Sequence, residues 1–312
     1  MLRRILAFCT LLLLPLWAQA FDPGRAPFAV WIDEQPVAYA IHSVNLLPGK
    51  SLRLRVKPAS TPIQVEASLG QLKADSRQLW TWTAPKRPGL SQITLTRADS
   101  AQVTLNVFVL VPASLVRDGH LSGYRIGQYP QRPLRNQPVY MPPHGFIEAH
   151  PDMRDLRVSP HFTLGQFLCK QQPEQWPKYL LLRPALLHQL ELILEEVNRR
   201  GIATETLQIL SGFRTPWYNA QIENGAYSRH QWGGAADIYI DTTGDGVMDD
   251  LNDDGVVDLA DSEWLLDLIQ TLFQRSDVPQ IPGGRGLYGP RPHRGPFVHV
   301  DARGWDAFWS VP

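Results

Sequence analysis

The sequence predicts an α+β protein in two parts, an all-β half followed by a half that mixes helices with strands. Three observations predict it. Residues 21–112 place apolar side chains at every second position between Pro and Gly breaks, the mark of short half-buried strands. Residues 184–201 switch to helical spacing, with Leu186, Leu187, Leu190, Ile193, Leu194 and Val197 on one stripe. Beyond them, two short apolar segments, Ile238–Tyr239–Ile240 and the run 297–300, read as strands. At 312 residues and 44% apolar side chains, the chain has room for two cores.

The first twenty residues, MLRRILAFCTLLLLPLWAQA, join Arg3 and Arg4 to an apolar run and an Ala-Gln-Ala ending. They read as a signal peptide cleaved after Ala20, too short in its apolar stretch for a membrane span. Cys9 lies inside that stretch rather than at its end, which argues against lipoprotein processing. Cleavage removes two arginines and no acid, so the 30 basic and 30 acidic residues become 28 and 30. A net charge near −2 gives no reason to expect nucleic acid or an anionic membrane as partner. Cys169 is then the sole cysteine, which excludes an intrachain disulfide and reads as a buried, inert thiol. The expected location is a bacterial periplasm.

Within 21–112, Ser51–Val56 (SLRLRV), Ile93–Thr96 and Val103–Val111 alternate, with breaks at Pro48–Gly49, Gly70, Pro85 and Pro88–Gly89. An antiparallel β-sandwich of Ig-like size is expected. Trp80 and Trp82 share a strand face and read as core. Residues 113–158 form a linker rich in Pro, Gly, Tyr and Arg, too aromatic to hang free. His144 and His150 fall there and read as loop residues. The second domain, 159–312, opens at Ser159-Pro-His-Phe-Thr; a helix then runs from Pro184 to a Gly201 C-cap, with Glu191, Glu195 and Arg199 expected to face outward. The strand Leu207–Leu210 then delivers the segment SGFR.

His230, Asp237 and His299 are the candidate metal ligands. Two imidazoles and one carboxylate are what a catalytic zinc takes, with its fourth position left for water. Asp237 opens one apolar strand and His299 sits within another, so neighbouring strands bring them to one point. Gly233 and Gly234 let the chain turn tightly enough to bring His230 round.

Three segments carry a resemblance. Ser228, His230, Gly233, Ala235 and Asp237 fit S-x-H-x-x-G-x-A-x-D. SGFRTPWYN at 211–219 fits S-G-[YF]-R-[ST]-P-x-x-N, and FVHVD at 297–301 fits a closing His segment. Over about 160–309 the chain resembles the M15 zinc peptidases, the D-Ala-D-Ala carboxypeptidase and murein endopeptidase group, related to lysostaphin-like enzymes and the hedgehog fold. Residues 21–150 have no part in it. The resemblance implies a zinc domain on an antiparallel sheet and hydrolysis of peptidoglycan (murein) peptides at a D-amino acid. It also implies that Arg214 holds a substrate carboxylate or oxyanion, and that Ser228 and Asn219 orient the ligands or their loop. Trp232 and Tyr288 are candidates to line the cleft. Many relatives carry Glu or His just before the last ligand, where this chain has Pro296 and Phe297. Asp301 is the first substitute for a general base and His293 the second.

Between the second and third ligands lies an acidic insert, 241–261. With Asp250 as position 1, Asn252, Asp254, Gly255, Val256, Asp258 and Asp261 fall at positions 3, 5, 6, 7, 9 and 12 of an EF-hand-like calcium loop, and Val257 at the apolar position 8. Asp at position 12 resembles dockerin-type loops. A weaker loop overlaps it, with Asp241, Thr243, Asp245, Gly246, Asp249 and Asn252; the tandem resembles thrombospondin type 3 repeats. Calcium is expected here, ordering the rim of the metal site, and the helix 262–273 follows. Two rival readings are a zinc- and peptidoglycan-binding protein without turnover, and a calcium-dependent adhesion or scaffold protein.

Overall fold

The computed structural model describes residues 20–57 and 61–312. The expected signal peptide, apart from Ala20, lies outside the described residues. The protein is a mixed α+β structure, mostly sheet with few helices.

Residues 30–109 form two sheets around one core. One sheet orders its strands Gln35–Pro36, Val30–Ile32, Ser51–Val56, Leu79–Thr83 and Gln71–Ser76; the other orders Ile41–Leu46, Gln102–Val109, Gly89–Arg97 and Ile63–Ala67. Alternation turns Leu52, Leu54 and Val56 inward against Trp80 and Trp82, and Ile93, Leu95, Val103, Leu105 and Val107 meet them from the other sheet. One pairing departs from the all-antiparallel expectation: Ile41–Leu46 runs parallel to Gln102–Val109. Parallel neighbours need a long crossover, and here most of both sheets intervenes. Period-two patterning specifies which side chains face inward and leaves strand direction open.

The edge strand Ile41–Leu46 joins this half to the next. Ser43 donates to the Val158 carbonyl at 2.7 Å, and Asn45 Nδ2 donates to the Leu182 carbonyl at 2.8 Å. Residues 113–158 pack through their aromatic side chains. Tyr129 and Tyr140 lie 5.4 and 5.2 Å from the ring of Trp232, whose Nε1 donates to the Met141 carbonyl.

The second half is a five-stranded sheet in the order Gln208–Ser211, Ala235–Tyr239, Phe297–Asp301, Gly284–Tyr288 and Ala307–Val311. Its pairs are antiparallel except the last, which is parallel. Side chains alternate across the sheet. Ala236, Ile238, Val298 and Val300 face helices Pro184–Arg199 and Leu259–Gln274 in one core, where Leu190, Leu194, Leu265 and Ile269 meet them. Asp237, His299 and Asp301 face the other way. The first helix starts on Pro184 and gives way to Gly201 at φ 95°, as its start and stop signals imply.

Glu191 departs from its expected outward position. It is buried, and its carboxylate accepts from the backbone N–H of His161 at 2.9 Å and meets that residue's Nδ1 at 2.7 Å. The loop around His161 folds over the helix and covers it. Glu195 keeps an outer position, paired with Arg25.

Candidate metal centre

Each ligand arrives on a different element. Asp237 and His299 are direct cross-strand partners in the sheet. His230 sits on a single turn, Arg229–Trp232, that ends at Gly233 with φ 61°. That glycine is required twice over: its φ is left-handed, and a Cβ there would stand 2.1 Å from the Leu181 carbonyl oxygen.

The three residues are 2%, 4% and 6% exposed for His230, Asp237 and His299. His230 Nε2 and His299 Nδ1 are 3.2 Å apart, His299 Nδ1 is 2.8 Å from Asp237 Oδ1, and His230 Nε2 is 3.2 Å from the same oxygen. Zinc bonds of about 2.0–2.2 Å at tetrahedral angles set neighbouring ligand atoms roughly 3.3 Å apart. The observed triangle fits a zinc-sized ion.

The far side of each ring agrees. His230 Nδ1 lies 2.7 Å from the Gly212 carbonyl, which can only accept, so the proton sits on Nδ1 and Nε2 offers its lone pair inward. His299 Nε2 lies 3.1 Å from Asp301 Oδ2, which fixes the proton there and leaves Nδ1 facing the cluster. Asp237 Oδ2 accepts from Arg214 Nη2 at 2.5 Å, leaving Oδ1 for the centre. With His299 neutral, three lone-pair donors thus converge with no proton between them, an arrangement a cation satisfies. Among the described residues, this is the only group of three or more His, Cys, Asp or Glu side chains close enough to share an ion.

Charge is distributed accordingly. Burial lowers the pKa of His230. Burial raises that of Asp237, but His230, His299 and Arg214 outweigh it and hold the carboxyl well below its usual range. For His299, burial is outweighed by hydrogen bonds to Asp237 and Asp301, and its pKa is raised.

Asp301 stands behind His299. It is fully buried, and it accepts from Gly284 N at 2.9 Å and from Arg303 N at 3.0 Å, while Arg303 Nη2 donates to it at 2.5 Å. Both oxygens are engaged. His293 lies on an exposed turn closed by Arg291 and Arg294, outside the cluster. Arg214 is buried, with Nε donating to Ser211 Oγ at 2.8 Å. Asn219 bridges to the carbonyls of Asn224 and Gly225, both at 3.0 Å, closing the loop before His230. Trp232 is wholly buried among tyrosines. Tyr288 stacks on Phe297 at 4.5 Å and accepts from Trp309 Nε1 at 2.9 Å. Trp309 itself stands 5.1 Å from the His299 ring, above Gly286, where a Cβ would meet the indole at 2.4 Å. Sequence reading missed the Gly212 carbonyl and Trp309. A carbonyl leaves no trace in residue type, and Trp309 reaches His299 only through long-range pairing. His144 and His150 are exposed on the linker, and Cys169 is buried, with burial raising its thiol pKa.

In the insert, Asp250 accepts from the N–H groups of Asp254 and Gly255, and Asp241 from those of Gly244, Asp245 and Gly246. Gly246 and Gly255 take φ of 84° and 86° at the sixth position of each loop. Asp249 Oδ2 accepts from Thr242 and Asp245 from the Val247 N–H, while Thr243 bonds Asp241. Asn252 Nδ2 meets Asp254, whose other oxygen accepts from the Val256 N–H. Asp258 and Asp261 form a capping box on helix Leu259–Gln274, Asp261 accepting from Leu251 and Asp258. No three of these carboxylates converge as His230, Asp237 and His299 do.

No protein-family model matches the chain, and no curated protein matches it either.

Proposed function

We propose that the chain is an exported, periplasmic zinc metallopeptidase that hydrolyses peptidoglycan peptides at D-amino acids, with an M15-like catalytic domain behind an Ig-like sandwich. The observation that carries this reading is the His230–Asp237–His299 triangle, each ligand fixed from behind by its own partner. The ordered motifs at 211–219, 228–237 and 297–301 support the family assignment. Bound there, zinc supplies Lewis acidity, polarising a carbonyl and lowering the pKa of water towards about 7.

The protein's own residues do the rest. The Gly212 carbonyl and Asp301 hold the two imidazoles in the tautomers that face the centre. Arg214 holds Asp237 through Nη2, and its Nη1 makes no hydrogen bond among the described residues. Those remaining N–H groups suit a substrate carboxylate or a developing oxyanion. Asp301, saturated and buried, is placed to position His299 rather than to take a proton, which leaves His293, on an exposed turn outside the cluster, as the other proposed base. The insert is read as a calcium site that orders the rim, on the strength of its two glycine-turned loops. Among the described residues no helix is long and apolar enough to cross a membrane.

One observation favours a second reading, zinc binding without turnover: among the described residues no carboxylate beyond Asp237 and Asp301 reaches the ligands. Digestion of purified murein by residues 21–312, with fragments resolved by mass, separates the two. Loss of cross-linked dimers or of terminal D-Ala that stops on chelation and in His230→Ala supports the enzyme. Intact murein with one zinc retained per chain refutes it.

A further inference from the structure

A cavity of about 590 Å³ lies on the side of the sheet away from the metal centre. Arg285 pairs with Val300 and Phe308, while its neighbour Gly286 pairs with His299 and Trp309. Alternation therefore sends Arg285 to the helix-facing side and keeps it off the metal face.

Arg285 is 6% exposed, and its guanidinium makes no hydrogen bond among the described residues; its Nε is buried without a partner. Its nearest acid is Asp306, with Oδ1 3.6 Å from Nη1 and a side chain 59% exposed at the cavity mouth. The guanidinium lies between two phenyl rings, 5.2 Å from Phe273 and 5.6 Å from Phe308. Gln270 and Gln274 complete the nearby wall. Burial lowers the arginine's pKa, with only partial relief from Asp306 and Asp301. A buried charge without hydrogen bonds is costly, and Asp306 at that distance is a weak counter-charge.

We infer that this cavity is a second binding site, for a small monocarboxylate whose flat or apolar body lies beside Phe273 and Phe308 and whose carboxylate engages Arg285. A planar guanidinium matches a carboxylate with two parallel N–H···O bonds. The single cation, with Asp306 at the entrance, selects one negative charge over the two of a phosphate. The glutamine amides suit a carbonyl or amide on the ligand. Two sources share this chemistry, a free organic acid and the C-terminal carboxylate of a peptide.

Calorimetric titration of the full chain tests the site with benzoate, benzamide, N-acetylphenylalanine, its amide and inorganic phosphate as probes. Both acids bind, and each amide binds at least about tenfold more weakly, since only the acids make charge-assisted hydrogen bonds to the guanidinium. Tighter binding of N-acetylphenylalanine points to a peptide C-terminus, and tighter binding of benzoate to a free acid. Arg285→Gln abolishes binding of both acids without changing zinc content. Two variants at exposed positions guard against misfolding of that one. Phe308→Ala, at a ring 57% exposed, weakens binding, and Asp306→Asn strengthens it by up to roughly fivefold, the worth of an exposed ion pair. Equal binding of acids and amides, preference for phosphate, or weaker binding in Asp306→Asn overturns the inference.

Discussion

Replacing Asp301 by Asn tests whether the centre is a metal site held from behind. Asn keeps the shape of Asp, and its Oδ1 can still accept from Gly284 N and Arg303 N. Its amide, however, presents N–H where Asp301 Oδ2 now faces His299 Nε2 at 3.1 Å. Two donors cannot face each other, so the His299 proton moves to Nδ1, the atom 2.8 Å from Asp237 Oδ1. The ligand nitrogen is then blocked by its own hydrogen. Loss of such an outer carboxylate typically lowers metal affinity about 10–100-fold, or roughly 1.4–2.8 kcal/mol. Competition between the protein and a chromophoric zinc chelator measures the change. Melting of the metal-free variant shows separately what losing the Arg303 pair does to the fold. Zinc affinity within about twofold of wild type, alongside loss in His299→Ala, would refute the tautomer reasoning.

Two further predictions concern other parts of the chain. His42, in the crevice between the two halves beside His188, has its pKa lowered to about 4, by burial first and by His188 second. The unfolded chain protonates His42 near 6.5 and the native one does not, so stability falls as pH drops from about 6.5 towards 4 and levels off below. The loss reaches about 1–3 kcal/mol. Urea melts across that range should show a shallower slope in His42→Gln, and an unchanged slope would dismiss the assignment. Calcium at roughly 10⁻⁴–10⁻³ M should raise the melting temperature, and Asp250→Ala should remove that response. A melting temperature indifferent to both calcium and chelator ends the calcium reading of the insert.

The ligands were legible because His230 and Asp237 are close in sequence and because Asp237 and His299 lie in patterned surroundings. Asp237 and His299 each begin or interrupt an apolar alternation, which places them on one sheet face. Their supporting partners were harder to read. The Gly212 oxygen belongs to the backbone, and the bond from Asp301 to His299, although the two are close in sequence, depends on Arg303 and Gly284 turning the carboxylate. Helical spacing showed the core stripe of Pro184–Arg199 but not the His161 loop that covers Glu191. The acids of the insert matched a calcium loop, yet Asp258 and Asp261 also satisfy helix-capping chemistry, and spacing alone does not separate the uses. Arg285, in a glycine-rich run, gave no sign of its burial.

The Asp237 and His299 strands are nearest neighbours in space and 62 residues apart in the chain. The chain between them leaves one seam and rejoins it, supplying helix Leu259–Gln274 and strand Gly284–Tyr288 on the way and, before these, an acidic loop. Doubling such a loop costs only about 0.6 kcal/mol when it is flexible. The exposed tip of the acidic segment, residues 242–247, can therefore be lengthened or opened by circular permutation, while buried Met248 and the Asp258–Asp261 cap hold the rest in place. New termini placed at Gly244, exposed and with open space around its Cα, should leave the two strands free to pair and the ligands to meet.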